Sequence, residues 1–250
     1  MVVPLTNELV WIEECFALNN EAPQSHKHVS VFVLGDDRRV LVDSGAFLHR
    51  DAIANQVESL TGTGAISALV LSHSDYPHAA NVQTFVSDEV ELVASSGSPA
   101  QQGLPTATKC EIGGEMNVAG RPMSFIDPPL ADRSHTTWIF DHRTETLFTA
   151  DGFGSRHAPG SCAATSEDLP DGISSTAIES FHRHELPWLC FVDPNRLRVA
   201  LDDIMDTYDP AWIAPCHGHP IAREHRAAYL DDLIAAAGRI AADGPPRGAQ

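Results

Sequence analysis

The stretch Leu71-Ser72-His73-Ser74-Asp75-Tyr76-Pro77-His78-Ala79-Ala80-Asn81 decides how the rest of the chain is read. It sets two histidines five residues apart with an aspartate between them, directly after the apolar run Ala68-Leu69-Val70-Leu71. Such a run reads as a short buried strand. His73 and Asp75 then emerge together at its C-terminal end, and His78 returns toward them from the following turn. Neutral imidazole and carboxylate are the usual ligands of zinc and iron, so the spacing points to a metal. The competing reading is a polar surface loop, since the chain holds 13 histidines and any one of them says little.

Three further positions share the same grammar of an apolar strand adjoining a ligand-type residue. His135 sits just before Thr137-Trp138-Ile139-Phe140. Asp151 follows Leu147-Phe148-Thr149-Ala150 and precedes Gly152-Phe153-Gly154, whose small residues let backbone come close to a site. His217 follows Ile213-Ala214-Pro215 and precedes Gly218. One such case is weak evidence, and the repetition makes it strong.

Around these positions the pattern is one of strands followed by helices. Val29 to Leu34 and Arg39 to Val42 read as strands around a Gly35-Asp36-Asp37 turn, with Asp43-Ser44-Gly45 ending the second. A helix is expected from Arg50 to Leu60, closed by Gly62 to Gly64, and another starts in Asn81 to Phe85. Glu91 to Ala94 is a strand, and Ser95 to Leu104 a loop or short helix. Further strands are expected near Cys110 to Ile112, Met123 to Ile126, Thr137 to Asp141, Thr146 to Ala150 and Trp212 to Pro215. Helices are expected over Asn195 to Tyr208 and Ala222 to Ala242. Residues 1–243 would form one domain, with 244–250 a disordered tail.

Composition narrows the function classes. With 250 residues, 43% of them hydrophobic, the chain can bury a sizeable core. A net charge of −18 argues against nucleic acid or an anionic membrane as a partner. No run of about eighteen apolar residues suggests a membrane span, and the N-terminus lacks a basic, then apolar, signal sequence, so the expected location is cytoplasmic. Asp202, Asp203, Asp206 and Asp209 read as a solvated helix face. Five cysteines without a C-x-x-C pair fit reduced thiols better than a disulfide framework.

The order Asp43-Ser44-Gly45, His73-Ser74-Asp75-Tyr76-Pro77-His78, His135, Asp151, His217 resembles the metallo-β-lactamase superfamily. Within it, the chain is most similar to the oxygen-binding di-iron (ODP) domain of flavodiiron proteins. That likeness rests on the carboxylate at Asp75, on residues 134–141 and 147–154, and on Trp212-Ile213-Ala214-Pro215-Cys216-His217-Gly218. It covers about Val29 to Ile221. The resemblance implies an αββα four-layer sandwich of the α/β (α+β) class. It further implies one metal on His73, Asp75 and His135, a second on His78 and His217, and Asp151 bridging them. His73, Asp75, His78 and Asp151 would carry the chemistry, and Asp43 would orient a ligand imidazole. The family places an aspartate immediately before its second motif histidine. Pro77 stands there and cannot ligate, so the second site is either open or weakened.

Two iron ions are the expected cofactors, because a carboxylate in place of a histidine at position 75 favours iron over zinc, which stays the alternative. The implied activity is an oxidoreductase that binds O2 or NO; with no flavodoxin region read after His217, its electrons would come from an external donor, from a second subunit or from the substrate itself, and a homodimer is compatible. One alternative is a metallo-hydrolase of an ester, lactone or thioester, with two metals about 3.5 to 4 Å apart activating a water. Another is a redox sensor without catalysis. Among other residues, Tyr76 is a candidate pocket wall, Cys216 a small buried residue, and His157, His182, His184 and His219 candidate lining. His182 and His184 would share a face if on a strand. His26 and His28 are weaker candidates of the same kind.

Overall fold

The computed structural model describes residues 1–18, 24–62, 66–95, 104 and 106–245. Most of the tail expected to be disordered, most of the loop expected over Ser95 to Leu104, and positions 63 and 64 at the close of the first helix lie outside these residues. In chain order the strands are β1 (Val2–Thr6), β2 (Leu9–Ile12), β3 (Cys15–Leu18), β4 (Ser25–His28), β5 (Val31–Leu34), β6 (Val40–Val42), β7 (Ala68–Val70), β8 (Glu91–Ser95) and β9 (Thr108–Cys110). The second half adds β10 (Glu115–Val118), β11 (Arg121–Ile126), β12 (Trp138–Asp141), β13 (Thr146–Phe148), β14 (Arg156–His157), β15 (Trp212–Ala214) and β16 (Ile221–Ala222). The helices are α1 (Arg50–Thr61), α2 (Tyr76–Ala79), α3 (Val82–Phe85), α4 (Ser175–Glu185), α5 (Pro194–Tyr208) and α6 (Arg226–Asp243).

Apolar residues without polar alternation make β5, β6 and β7 buried along their whole length. Strands of that kind are covered on both faces. They lie at the centre of a seven-stranded sheet ordered β1-β2-β5-β6-β7-β8-β9, which faces a six-stranded sheet ordered β10-β11-β12-β13-β15-β16. Trp11, Phe32, Val40, Phe125, Ile139 and Phe148 fill the space between them. On the outside of the first sheet, Ile53 and Val57 of α1 pack on Val31, Leu41 and Leu69. On the outside of the second, Ile178, Leu201 and Leu233 from α4, α5 and α6 cover Trp138, Phe140 and Ile213. The result is the αββα sandwich expected from the sequence. No helix among the described residues is long and apolar enough to cross a membrane.

The N-terminal segment, to which no elements are assigned above, forms β1 and β2 at the sheet edge and β3 and β4 in a separate three-stranded sheet ordered β14-β4-β3. β1, β3 and β4 are mostly half-buried, with Pro4 in β1 and the polar run Ser25-His26-Lys27-His28 making up β4, while β2 is apolar and mostly buried, so none shows a clean alternation. His182 and His184, which would share a face if on a strand, lie on the helix α4. Two positions along a helix are separated by about 200° of rotation, which leaves His182 buried and His184 exposed.

The two sheets are also tied by a buried charge cluster. Arg121 is 2% exposed, and its Nε and Nη2 donate to Asp141 at 2.9 and 2.7 Å, while Nη1 reaches Glu8 at 2.7 Å. Asp141 also accepts from the Thr144 amide and hydroxyl. Removing one partner of such a pair leaves a buried charge uncompensated. Arg121→Ala is predicted to cost about 3–5 kcal/mol in urea unfolding, and a loss within experimental error would show that Asp141 is satisfied without it.

Candidate metal centre

Parallel pairing decides where the site lies. In the first sheet Val42 of β6 pairs with Val70 of β7, so Asp43 and His73 leave neighbouring strands at the same end. In the second, Phe148 of β13 pairs in parallel with Ala214 of β15, and the Cys216 amide donates to the Ala150 carbonyl at 2.9 Å. Asp151 and His217 therefore leave their strands side by side. The two ends are stitched across the sandwich by the Ser30 amide on the Cys216 carbonyl at 2.9 Å and the Thr137 amide on the Ser72 carbonyl at 2.8 Å.

Backbone strain gathers at these ends. Asp43, Ala150 and Phe153 have φ of 59°, 49° and 60°, a conformation that side-chain-bearing residues rarely adopt and that concentrates at functional sites. At Gly154 a Cβ would lie 2.1 Å from the Phe181 ring, so glycine is required for the loop after Asp151 to press against α4.

The side chains converge on Asp151. Its Oδ1 is 2.9 Å from His217 Nε2 and 3.5 Å from His78 Nε2, and its Oδ2 is 3.4 Å from His73 Nε2. His78 Nε2 and Asp151 Oδ2 are buried and have no hydrogen bond. The far nitrogens are anchored. His78 Nδ1 donates to Asp43 Oδ2 at 2.7 Å and His217 Nδ1 donates to the His28 carbonyl at 2.6 Å, which turns each Nε2 inward. Asp43 is itself fixed by the amide and hydroxyl of Ser72, both at 2.8 Å. Carboxylate and carbonyl partners of this kind set the tautomer and direction of metal-binding histidines.

His73, Asp75 and Asp132 form an adjoining group, with Asp132 Oδ2 3.7 Å from His73 Nε2. Asp75 is half-exposed and engaged on both oxygens: Oδ1 accepts from the Tyr76 amide, capping α2, and Oδ2 pairs with Arg133 at 2.7 Å. His135 is half-buried, its ring centroid 6.3 Å from that of His73, outside the tight groups. The expected residues thus meet around Asp151, with His73, His78 and His217 in contact and Asp75 and His135 at the rim. Tyr76 and Pro77 line a cavity of about 270 Å³ that opens on His73, Asp151 and His217.

Asp132 escaped the sequence reading. It lies three residues before His135 in the same loop, and its only signal was acidity beside a candidate ligand. Cys216 is buried among ligand-type atoms of His78 and His217 rather than merely small. At the cavity mouth Lys27 pairs with Glu185 at 2.9 Å, a contact across 158 residues that no local pattern could reveal.

Charge balance follows the geometry. Burial pushes the Asp151 carboxyl up, but His78 and His217 outweigh it and hold it well below the usual range. Burial pushes His217 down, but Cys216 and Asp151 outweigh it and bring it up to about 10. His73 is driven well below the imidazole range by burial and then by His78. Burial, then the facing Asp151, lift Asp132 to about 6. Burial raises the Cys216 thiol, yet His217 and His78 bring it down to about 7. A buried carboxylate compensated by imidazoles whose Nε2 atoms all face it, two atoms left without hydrogen bonds, and further oxygen donors beside it suit a divalent cation.

A four-layer αββα sandwich with carboxylates and imidazoles gathered where strands of both sheets end defines a protein of metallo-β-lactamase type. The sequence matches the model of the family described as ODP family beta lactamase over residues 27–218, more than half of the chain, and the protein belongs to that family. It is 25% identical over 197 residues to the Nostoc sp. protein named diflavin flavoprotein A 3, covering 75% of this chain and 33% of that one. In structure it is similar to rubredoxin oxygen:oxidoreductase from Desulfovibrio gigas, with a TM-score of 0.76 at 14% identity over 95% of this chain and 62% of that one. A metallo-beta-lactamase from Pontibacter korlensis gives 0.63 at 10% identity, over 95% of this chain and 98% of that one. The chain spans about a third of the length of the curated relatives it matches.

Asp43→Asn is predicted to keep the fold, because asparagine tolerates a positive φ. It should lower metal affinity about 10–100-fold by loosening His78, read by titration against a competing chelator; unchanged affinity would show that His78 is oriented by other contacts.

Proposed function

We propose that this protein is a non-haem di-iron oxidoreductase acting on O2 or NO, with reducing equivalents supplied by an electron donor. The observation that carries the proposal is the position of Asp151, whose two oxygens face His73 on one side and His78 with His217 on the other. That arrangement suits a carboxylate shared by two cations. The donors near His73 are weighted toward oxygen, since Asp75, Asp132 and Asp151 all approach it, and oxygen-rich sets with few imidazoles favour iron over softer-ligand metals. The family match and the likeness to a D. gigas oxygen:oxidoreductase agree with this reading.

When bound, an iron pair would supply reversible one-electron steps and open positions for a small diatomic. The chain's own part is to fix and shield. His73, Asp75 and Asp132, with His135 within reach, would hold the first ion; His78 and His217 the second; Asp151 both. Asp43 and the His28 carbonyl orient two of the imidazoles before any ligand arrives. Pro77 stands at the mouth where the family has an acidic ligand, so the second ion would keep free positions facing the cavity. Phe16, Tyr76 and the Lys27–Glu185 pair help to line the cavity of about 270 Å³, a volume suited to a small substrate. Arg133, paired with Asp75, places a cation beside that entrance.

A hydrolase reading is favoured by a different observation. The Cys216 sulfur, within 4.8 Å of the ligand atoms of His78 and His217, offers a soft donor on the side where Pro77 removed a hard one, and thiolate with imidazole selects zinc. Metal identity separates the two.

Purified without chelator, the protein is predicted to hold about two irons per chain. Asp151→Ala should lose both ions in elemental analysis, whereas full stoichiometry in that variant would contradict a shared carboxylate. The anaerobically reduced protein should reoxidise rapidly on mixing with O2 or NO in stopped-flow absorbance; two zincs and a silent spectrum would favour the hydrolase. Pro77→Asp keeps the first turn of α2, where proline is dispensable, and should tighten the second ion. An unchanged affinity would place the missing ligand elsewhere.

A further inference from the structure

We propose that Cys15, His26, His157 and Cys162 form a second, tetrahedral metal site of the zinc class, which pins β3, β4 and β14 together behind the wall of the first. The four ligand atoms lie within 4.8 Å of one another. Cys15 Sγ is 3.4 Å from Cys162 Sγ and 3.4 Å from His26 Nδ1, and His26 Nδ1 is 3.3 Å from Cys162 Sγ. Zinc bonds of about 2.3 Å to sulfur and 2.0–2.1 Å to nitrogen, at tetrahedral angles, separate their donors by roughly 3.3–3.8 Å. The spacing found here is therefore close to that of a Cys2His2 shell.

The backbone builds this cluster. In the three-stranded sheet His157 pairs directly with His26, and Cys15 lies opposite His28, two residues along β4 on the same face. Gly160, at φ 99°, turns the chain after β14 so that Cys162 comes back over the sheet, and the Cys162 carbonyl accepts a hydrogen bond from His28 Nε2 at 2.7 Å. His28 stacks on the His157 ring with centroids 3.7 Å apart, holding it in place.

An independent observation points to a ligand. His157 is 6% exposed, and neither of its ring nitrogens has a hydrogen bond. Buried polar groups without partners are rare and call for an unseen one. Burial, then His219 and His26, bring this imidazole down to about 3, so its lone pair is available to a cation. Burial, then the neighbouring Cys162, push the Cys15 thiol up; a bound cation reverses that preference, because it stabilises the thiolate.

The site has a structural consequence. Phe16 and Lys27 follow Cys15 and His26 directly in β3 and β4 and point to the other face, where they line the cavity over His73 and Asp151. A metal on one face of this small sheet would hold the entrance of the candidate metal centre from behind. The assignment stands whether the first site takes iron or zinc.

The test uses the full chain, stripped of metal and kept reduced and anaerobic, titrated with Co(II) and then Zn(II). The expected result is one equivalent giving the intense visible bands of tetrahedral cobalt with a thiolate charge-transfer band, bleached by zinc. That band should vanish in Cys15→Ser and Cys162→Ser and persist in Cys216→Ser and Asp151→Ala. His157→Ala should lower zinc affinity by at least the roughly 10–100-fold that loss of an outer partner costs. Because a cysteine variant can fail to fold, the Asp151→Ala chain, with all four ligands of the second site intact, is also melted with and without zinc, and a zinc-dependent rise in Tm is expected. A band that is absent, or that is lost with Cys216 rather than Cys15 and Cys162, overturns the proposal. So does a Cys15–Cys162 disulfide in the protein as purified, since it would consume both thiolates.

Discussion

One buried carboxylate organises this molecule's working edge. Asp151 is 5% exposed, and a charge in that position is tolerated only with close compensation. Its compensation comes from both sheets: His73 and His78 from the first, His217 from the second. The two halves of the sandwich are thus held in register by electrostatics at one end, in addition to the apolar filling between them. The positive φ angles at Asp43, Ala150 and Phe153 place local strain at the same edge, where the surrounding packing holds it.

The same balance explains why the site suits cations. Imidazoles with raised proton affinity neutralise Asp151, and a divalent ion would do so in their stead, releasing protons as it binds. Orientation is settled beforehand, because Asp43 and the His28 carbonyl fix the outer nitrogens of His78 and His217. The acidic residues beside Asp151, namely Asp132 and Asp75, both stand on the His73 side. The two halves of the site are therefore chemically unequal, one rich in oxygen donors and the other in nitrogen with a sulfur close by.

Much of this was legible in the sequence because strand ends in parallel pairs project adjoining residues to one place. His73, Asp151 and His217 each follow a short apolar run, and the pairing of β6 with β7 and of β13 with β15 turns that local signature into spatial proximity. The sandwich was readable for the same reason, since its central strands are apolar throughout. The N-terminal strands were not, because edge and half-buried strands need not alternate. Asp132 was hidden in a loop whose path only tertiary structure defines. Cys15, His26, His157 and Cys162 come from three separate chain segments, so no spacing such as C-x-x-C announces them. His182 and His184 part company, one buried and one exposed, because their segment is helical and a spacing of two does not return to one side.

The proposed function requires that Asp151 lie between two iron ions. It is tested most directly by anomalous diffraction from crystals of the protein as isolated, collected on both sides of the iron absorption edge. The account predicts two iron peaks flanking Asp151, one toward His73 and Asp132 and the other toward His78 and His217. A single peak, or two that appear only at the zinc edge, would contradict it.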